Sequence, residues 1–305
     1  MANKHASLDA LFADIADAIR EKTGDTGTIP AVEFPNMIRE RLEVIPPLPY
    51  LTFKSPSSFT LAVNDATKHW DGTLEYSTDT SVWTAWDGTT TISSATSGSD
   101  NVLYLRGTGN SLITGNSLNY KWVLTGSNIK CIGNIENLLD YATVESGANP
   151  TMAKYCYYQM FRDCTSLAKA PDLPATTLVP NCYAYMFYGC SSLAQAPDLP
   201  ATTLANGCYA YMFNSCTGLT QAPALPATTL TTECYRSMFY GCTSLKLSST
   251  QTGEYTVAYR IPTAGTGTTA TDALTDMFTS TGGTFTGTPE INTTYYLSNT
   301  NTVVG

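Results

Sequence analysis

Eight cysteines occur in four regular pairs, and they are the first residues of this sequence whose spacing could support chemistry. The first members are Cys156, Cys182, Cys208 and Cys234, and the second members, eight positions later, are Cys164, Cys190, Cys216 and Cys242. Cysteine serves metal binding, disulfide formation or nucleophilic catalysis. Paired zinc ligands usually stand roughly two to four residues apart. The wider spacing here, with no histidine nearby, argues against a metal site.

Buried thiols and disulfides are the two remaining interpretations of these cysteines. On a helix that begins at Cys182, positions i and i+8 lie about 12 Å apart, which is too far for a disulfide within the pair. The total of nine cysteines is odd, so complete internal pairing is impossible. Free cysteine packs as a small hydrophobic residue. We predict buried thiols that stack from copy to copy, with disulfides as the alternative.

Other patterns that would indicate an enzyme are weak. The chain has two histidines, His5 and His69, and no nucleophile–His–acid arrangement can be assembled around them. No G-x-S-x-G, Walker or dinucleotide-binding fingerprint is present. Glycoside hydrolysis needs two positioned carboxylates, but turns explain most of the available ones, which are Asp71, Glu75, Asp79 and Asp87. We therefore predict a protein that is not an enzyme and that needs no cofactor and no metal.

Composition narrows the functional class further. Of 305 residues only 13% are charged, the formal net charge is −9, and lysine and arginine do not cluster. Nucleic-acid binding needs a basic face, so it is not expected. No apolar run is long enough for a transmembrane helix, and the N-terminal sequence lacks the pattern of a signal peptide. We expect folding in a cytoplasm, where cysteines stay reduced.

Residues 1–45 carry the pattern of two short amphipathic helices. Ser7 can cap the first, and the second begins near Phe34. Helices of this size cannot bury their apolar stripes alone, so they form an intramolecular hairpin or dock onto a partner or other copies. The candidate anchor and oligomer-interface residues are Leu8, Leu11, Phe12, Ile15, Ile19, Phe34 and Ile38.

Residues 46–128 are predicted to form a β-sandwich after a proline-rich linker. The runs LTFKS, SFTLAV, GTLEYS, VWTAW and VLYLRG have strand character, and Asp-Gly pairs supply turns. This segment also holds the four tryptophans, Trp70, Trp83, Trp86 and Trp122. They are either core residues or an exposed platform for a sugar, for which Trp83 and Trp86 are the candidates.

Residues 129–247 repeat with a period of 26. The copies that begin at Cys156 and Cys182 agree at 17 of 26 positions, and such self-similarity predicts stacked units with one shared core. On a helix that begins at Cys182, residues 182, 183, 186, 187 and 190 form one inward arc, while Ala184, Tyr185 and Tyr188 face outward. In the other copies the outward positions hold Gln159, Tyr211 and Ser237, and Arg162, Asn214 and Tyr240. The Ala-Pro-x-Leu-Pro run that follows the second cysteine predicts a very short strand or an extended, polyproline-like segment.

Residues 248–305 are predicted to cap the array. GEYTVAYRIP has strand character, and ALTDMFTSTGG echoes the Met-Phe half of a unit without cysteines. Terminal units of such arrays are expected to be atypical because they shield the core from water. The tail INTTYYLSNTNTVVG predicts an edge strand. The predicted fold class is therefore multi-domain and β-rich with an α/β solenoid.

Two segments resemble known families. The units MFYGCSSLAQAPDLPATTL and MFNSCTGLTQAPALPATTL resemble the BspA-type leucine-rich repeats of bacterial surface adhesins, although the unit here is longer and has a second cysteine. The segment LFADIADAIREKTGDTGTIPAVEFPNMI looks like the leader of many tailed-phage and prophage structural proteins.

Together these resemblances imply a virion component: a fibre, a tail appendage or a capsid decoration protein, assembled in the bacterial host cytoplasm. The N-terminus would anchor the chain to other virion proteins as a homo-oligomer, with a trimer as the first expectation. The repeat surface would bind a host glycan or protein. Its candidate contacts are Tyr185, Tyr188, Tyr211 and Tyr240. The alternative is that these four tyrosines are ordinary surface residues without a binding role. The alternatives are a bacterial cell-surface adhesin and a carbohydrate-binding accessory module.

Overall fold

The computed structural model describes residues 49–117 and 119–305, which belong to one compact unit, Leu48–Gly305. The predicted helices of residues 1–45, and with them all seven anchor residues, lie outside the described residues. The described part is rich in β-structure arranged in several sheets, as the composition predicts.

Nine short strands and one helix precede the first cysteine pair. In chain order they are β1 (Leu51–Ser55), β2 (Thr60–Val63), β3 (Thr73–Ser77), β4 (Thr84–Trp86), β5 (Ile92–Ser93), β6 (Ala95–Ser97), β7 (Asp100–Thr108), β8 (Trp122–Thr125), β9 (Ile129–Ile132) and α1 (Asn137–Glu145). Each of the five runs with predicted strand character contains residues of a strand. Burial alternates along β1, where Leu51 and Phe53 point inward, and this is the period-two pattern of a half-buried sheet.

The next strands belong to the repeats and the C-terminal region. They are β10 (Leu167–Lys169), β11 (Gln221–Pro223), β12 (Lys246–Ser248), β13 (Tyr255–Arg260), β14 (Gly282–Gly283), β15 (Thr294–Ser298) and β16 (Thr302–Val304). β15 lies between β13 and β12 in a four-stranded sheet. The edge strand predicted in the tail is therefore not β15, whereas β16, which pairs with β11 alone, is an edge strand.

Two sheets pack on each other in residues 49–132. The larger has the order β10-β9-β1-β7-β3-β4, with β6 also paired to β7, and the smaller has the order β5-β2-β8. Phe53 of the larger sheet and Trp122 of the smaller have ring centroids 6.4 Å apart, and Trp86 contacts Trp122 at 5.7 Å. Because β9 and β10 extend the larger sheet, it crosses the boundary drawn after residue 128 and joins the first repeat directly.

Gly107 shows why one glycine of the GTGN cluster is needed. It lies in β7 where the strand passes α1, and a Cβ at this position would overlap the carbonyl oxygen of Leu138. Asn110 then fastens the loop by donating from Nδ2 to the same carbonyl at 2.9 Å. The cluster therefore serves close packing of strand on helix.

The repeats contain turns where helices were predicted. We name as turn segments 1 to 5 the residues 155–164, 181–190, 207–216, 233–242 and 272–281. In each, the first, fifth and ninth residues have φ between +49° and +73°, which no α-helix contains. The helix prediction is wrong because a four-residue turn repeats its inward positions at i, i+4 and i+8, as a helix nearly does.

Consecutive turn segments are joined by a ladder of backbone hydrogen bonds. In turn segments 1 to 4 every odd-numbered N–H donates to a carbonyl of the next unit, as from Tyr183 to Cys208 at 3.0 Å, and the distances are 2.7–3.2 Å. Even-numbered N–H groups instead donate three residues back, as from Met186 to Tyr183 at 3.2 Å. All backbone hydrogen bonds between the turn segments therefore point the same way along the stack.

Outside its turn segment, each unit contains a short extended segment and a pair of threonines. The parallel bridges Gln195–Gln221 and Thr177–Thr203 continue the stacking outside the turn segments. β16 pairs in parallel with β11, so the C-terminal strand takes the place that the extended segment of a further unit would occupy. ALTDMFTSTGG forms turn segment 5, where Phe278 stacks on Phe239 at 5.5 Å. This agrees with its prediction as a terminal unit.

Candidate functional site

The turn segments sort their side chains into an inner and an outer set. Positions 2, 3, 6, 7 and 10 of each segment point into the core, which confirms the predicted inward arc. Positions 1, 4, 5 and 8 lie on the opposite side, where the copies differ. A left-handed residue at positions 1, 5 and 9 reverses the chain direction and produces this alternation of two in and two out.

Five tyrosines of the outer positions contact one another on this side. We call Tyr155, Tyr158, Tyr185, Tyr188 and Tyr211 the tyrosine ridge; all are partly exposed. Tyr185 is its centre: its ring stacks on Tyr211 at 4.5 Å and 7°, meets Tyr158 edge-on at 5.6 Å and lies 6.0 Å from Tyr188. The ridge therefore spans turn segments 1 to 3 as one continuous aromatic surface.

Cationic side chains border the ridge. The Arg162 guanidinium lies 5.0 Å from the ring centroid of Tyr188, and the Lys154 ammonium lies 4.8 Å from that of Tyr155. Burial, reinforced by Tyr211, raises the pKa of Tyr185 above its ordinary value. The nearby Tyr211 raises the pKa of Arg236 as well. The raised pKa keeps the Tyr185 hydroxyl neutral, so it can both donate and accept hydrogen bonds.

The structure brings together three of the four tyrosine candidates. Tyr185, Tyr188 and Tyr211 belong to the ridge, while Tyr240 is exposed at 39% and lies one unit further on. Sequence reasoning missed Tyr155 and Tyr158. Tyr158 occupies a position that is alanine in the next two copies, and this aromatic substitution was the available signal.

Several outer positions are more buried than the helical pattern predicts. Gln159 is fully buried, and Asn214 and Ser237 are almost so, at 6% and 4% exposed. Ala184 is covered as well, at 1% exposed. These four residues occupy outer positions as predicted, but they are not free surface.

The inner side holds columns of identical residues. The inner tyrosine column, Tyr157, Tyr183, Tyr209 and Tyr235, has ring centroids 5.5–5.9 Å apart and interplanar angles of 5–12°. The phenylalanines of position 7 stack in the same way, as Phe187 does on Phe213 at 5.7 Å. These columns form the core of the repeats.

All nine cysteines are free and buried thiols. The second cysteine of a unit also has a specific partner: Cys190 Sγ donates to Phe161 O, Cys216 Sγ to Phe187 O and Cys242 Sγ to Phe213 O, each at 3.0 Å. Burial raises the pKa of Cys182 to about 12 and that of Cys234 to about 11. The cysteines are therefore protonated thiols and not nucleophiles. The second cysteine of a unit links neighbouring units through its hydrogen bond.

The tryptophans separate into core and surface. Trp70, Trp86 and Trp122 are at most 3% exposed, so the core interpretation is correct for them and Trp86 is not a free platform. Trp83 is partly exposed, but Arg106 covers its ring at 4.1 Å and Tyr50 lies 5.8 Å away. Both neighbours therefore shield this ring, whereas the tyrosine ridge has five partly exposed rings.

The predicted acidic residues of the β-rich region serve turns. Asp79 accepts hydrogen bonds from the N–H groups of Val82 and Ser81, which lower its pKa to about 2. Asp71 accepts from Ser111 and Leu112 and ties two loops together. Glu75 forms an ion pair with Arg106 at 2.8 Å. Each of these three carboxylates therefore has a structural partner.

The described residues contain no group of three His, Cys, Asp or Glu side chains arranged to hold a metal ion. Within residues 49–117 and 119–305, no helix has both the length and the apolar character needed to cross a bilayer. A comparison of the chain with protein-family models, curated proteins and solved structures finds no match.

Proposed function

We propose that this protein is a non-catalytic structural component of a bacteriophage virion that attaches to the host surface through the tyrosine ridge. The observation that carries the binding part is the cluster of five contacting, partly exposed tyrosines on a regular hydrogen-bonded frame. The virion part rests on the resemblance of the N-terminal sequence to phage structural proteins and of the repeats to surface adhesins.

Tyrosine suits such a surface physically. Its ring stacks on the apolar face of a sugar or fills a protein pocket, and its hydroxyl bonds to polar groups at the rim. The ridge side chains already touch one another, so little side-chain entropy is lost when a partner binds. The preferred partner is a host-surface glycan or protein that lies along the ridge.

The finer architecture follows from the same proposal. The ladder-joined units form a leucine-rich-repeat-like solenoid, the two packed sheets form a β-sandwich spacer, and residues 1–45 form a helical anchor that binds other virion proteins. The anchor makes the chain a homo-oligomer, with a trimer as the first expectation.

Light scattering should give about three times the chain mass for the full-length protein, and a monomer after deletion of residues 1–48. A full-length monomer would remove the oligomeric anchor.

The ridge is tested by surface substitutions that leave the frame intact. Tyr185→Ala, Tyr188→Ala and Tyr211→Ala in one chain should reduce binding to a panel of bacterial strains by at least about tenfold, since hot-spot aromatics commonly contribute more than about 1 kcal/mol each. Circular dichroism and thermal unfolding check the fold.

The matched control changes exposed threonines of the same units. Thr177→Ala, Thr203→Ala and Thr229→Ala alter a different surface column and should leave binding unchanged. Equal binding of the tyrosine variant and the wild type would refute the ridge as the attachment site.

A further inference from the structure

The hydrogen-bond ladder is incomplete at its last unit. In turn segment 4 the N–H of Glu233 donates to Thr271 O at 3.2 Å, and that of Tyr235 donates to Ala273 O at 2.9 Å. The equivalent groups of turn segment 5 are the N–H groups of Asp272 and Leu274. Within residues 49–117 and 119–305 neither has an acceptor. Two adjacent rungs are therefore open.

The next two rungs of the same segment are closed by a returning loop. Asp276 N–H donates to Thr288 Oγ1 at 2.9 Å, and Phe278 N–H donates to Gly287 O at 2.9 Å. The loop makes no hydrogen bond to the N–H groups of Asp272 and Leu274. The cap therefore closes the two middle rungs of the last unit, and among the described residues the N–H groups of Asp272, Leu274 and Ser280 have no acceptor.

An open cavity of about 340 Å³ lies beside the two unpaired rungs. Its walls include Ala270, Asp272 and Leu274 on one side and Thr288, Glu290 and Ile291 on the other. Apolar side chains and backbone donors thus face the same space. An exposed row of backbone N–H groups next to apolar side chains is the arrangement that extended peptides bind.

The chemistry of the cavity selects among possible ligands. Backbone N–H groups require an acceptor, yet the carboxylates of Asp272 and Glu290 disfavour an anion. Arg236 is paired with Glu233 at 2.7 Å and with Asp272 at 3.7 Å, so Glu290 is the carboxylate of the cavity that has no ion-pair partner among the described residues. The acceptor is therefore an uncharged peptide carbonyl, and the flanking side chains of the ligand are basic.

A second copy of this chain does not supply those carbonyls from its first unit. Cys156 O already accepts from Ile113 N–H at 2.9 Å, and Met160 O accepts from Trp122 N–H at 2.8 Å. The carbonyl edge of turn segment 1 is thus covered by the chain's own β-rich region, so head-to-tail stacking is blocked.

We propose that this open end is a docking site for an extended, basic peptide segment of a partner protein, which pairs its carbonyls with the N–H groups of Asp272 and Leu274. The segment adds one more rung to the ladder and places an apolar side chain against Ala270 and Ile291. The site is separate from the tyrosine ridge, and it does not depend on the attachment role proposed for that surface.

The experiment uses a random peptide library displayed against the full-length chain. Recovered peptides are counter-selected on Ala270→Phe, whose ring fills the cavity, while Ala264→Phe, an exposed alanine outside the cavity, is the matched control. We expect lysine- and arginine-rich peptides that bind the wild type and the control equally. Their binding to the blocked variant should be at least about tenfold weaker, as for loss of a central contact.

Amide hydrogen exchange then locates the bound peptide. In the free protein the amides of Asp272 and Leu274 should exchange much faster than those of Asp276 and Phe278, and the peptide should slow them selectively. Glu290→Gln, which keeps the cavity shape, should weaken binding of the basic peptides without changing thermal stability. Failure to recover any peptide that distinguishes the two phenylalanine variants, enrichment of acidic peptides, or protection of other amides would each overturn the proposal.

Discussion

Tyr183 and Tyr185 are two residues apart in one unit, yet one belongs to the inner tyrosine column and the other to the tyrosine ridge. The inner ring is fully buried between parallel neighbours at 5.5 and 5.8 Å. The outer ring is partly exposed, with one parallel neighbour and two tilted or edge-on ones. A left-handed residue at position 185 separates these two environments.

The difference teaches which residues maintain the stack and which are free to vary. Parallel stacking at a constant spacing needs the same ring in every copy, so the inner column is uniform. The outer side has no such requirement, and position 5 holds Gln159, Tyr185, Tyr211 and Ser237 in successive copies. The frame and the surface can therefore be changed separately, and each of the following predictions tests that separation.

Alkaline pH should have the largest effect, because it acts on the whole interior at once. Burial raises the pKa of the nine thiols and of the inner tyrosines above their ordinary values. Above the ordinary cysteine value of 9.0 the unfolded chain loses protons that the folded chain keeps, so the free energy of unfolding falls as pH rises. Below that value the stabilisation is complete.

The size of this loss predicts alkaline unfolding. Each thiol contributes about 1.4 kcal/mol per pH unit, and nine thiols together reach the whole stability of a typical domain, about 5–15 kcal/mol, within one to two pH units. Circular dichroism and tyrosine ultraviolet absorbance should change in a single transition. Ionisation of inner tyrosines in a chain that remains folded would contradict the buried column.

Alanine substitution of neighbouring tyrosines should give the next largest effect. Tyr209→Ala leaves a cavity in the inner column and should lower the free energy of unfolding by about 3–5 kcal/mol. Tyr211→Ala removes one surface stacking contact and should cost about 1 kcal/mol. Urea denaturation of the two variants provides the comparison, and equal losses would show that the ridge is part of the core.

Gly207 tests the left-handed turns. Its φ is +63°, and a Cβ there would overlap Oδ1 of Asn181. Gly207→Val should therefore reduce stability by about 1–3 kcal/mol. Ser215→Gly is the matched control: it keeps a φ of +60° and should leave stability unchanged or slightly higher. Tolerance of valine at position 207 would argue against the turn geometry.

Removal of one inner hydroxyl should have the smallest effect, and its sign is informative. Tyr183 Oη is buried and has no hydrogen-bond partner among the described residues, so Tyr183→Phe should raise the free energy of unfolding by about 1 kcal/mol. Tyr157 Oη donates to Ile135 O at 3.4 Å, so Tyr157→Phe should instead lower it slightly. Chemical denaturation measures both, and a loss at position 183 would reveal a missed partner.

Much of the frame could be predicted because its signals are local and repeated. The 26-residue period, the inward positions and the buried thiols all follow from residues that recur in each copy, such as Cys182, Met186 and Phe187. The conformation of the segment could not be obtained in this way, since helical and four-residue turn patterns diverge little over ten residues. Asn181 and Gly189, both tolerant of positive φ, were the weak signal for turns.

The candidate sites depend on information that a single sequence lacks. Tyr158 contacts Tyr185 of the next unit, and this contact depends on how far adjacent turn segments are offset from each other. The unpaired N–H groups of Asp272 and Leu274 depend on where the Thr288 loop ends. Trp86 could be assigned to the core only once Trp122 was placed against it.

The one-way ladder has a consequence for how this chain can evolve. Each internal unit accepts hydrogen bonds on one side and donates the same set on the other, so an additional 26-residue copy would fit between two existing ones without altering either end. In-frame duplication or deletion at the nearly identical PATTL segments, such as Pro174–Leu178 and Pro200–Leu204, would lengthen or shorten the array by whole units. Recombination could thus change the reach of the surface, while point mutation changes its specificity.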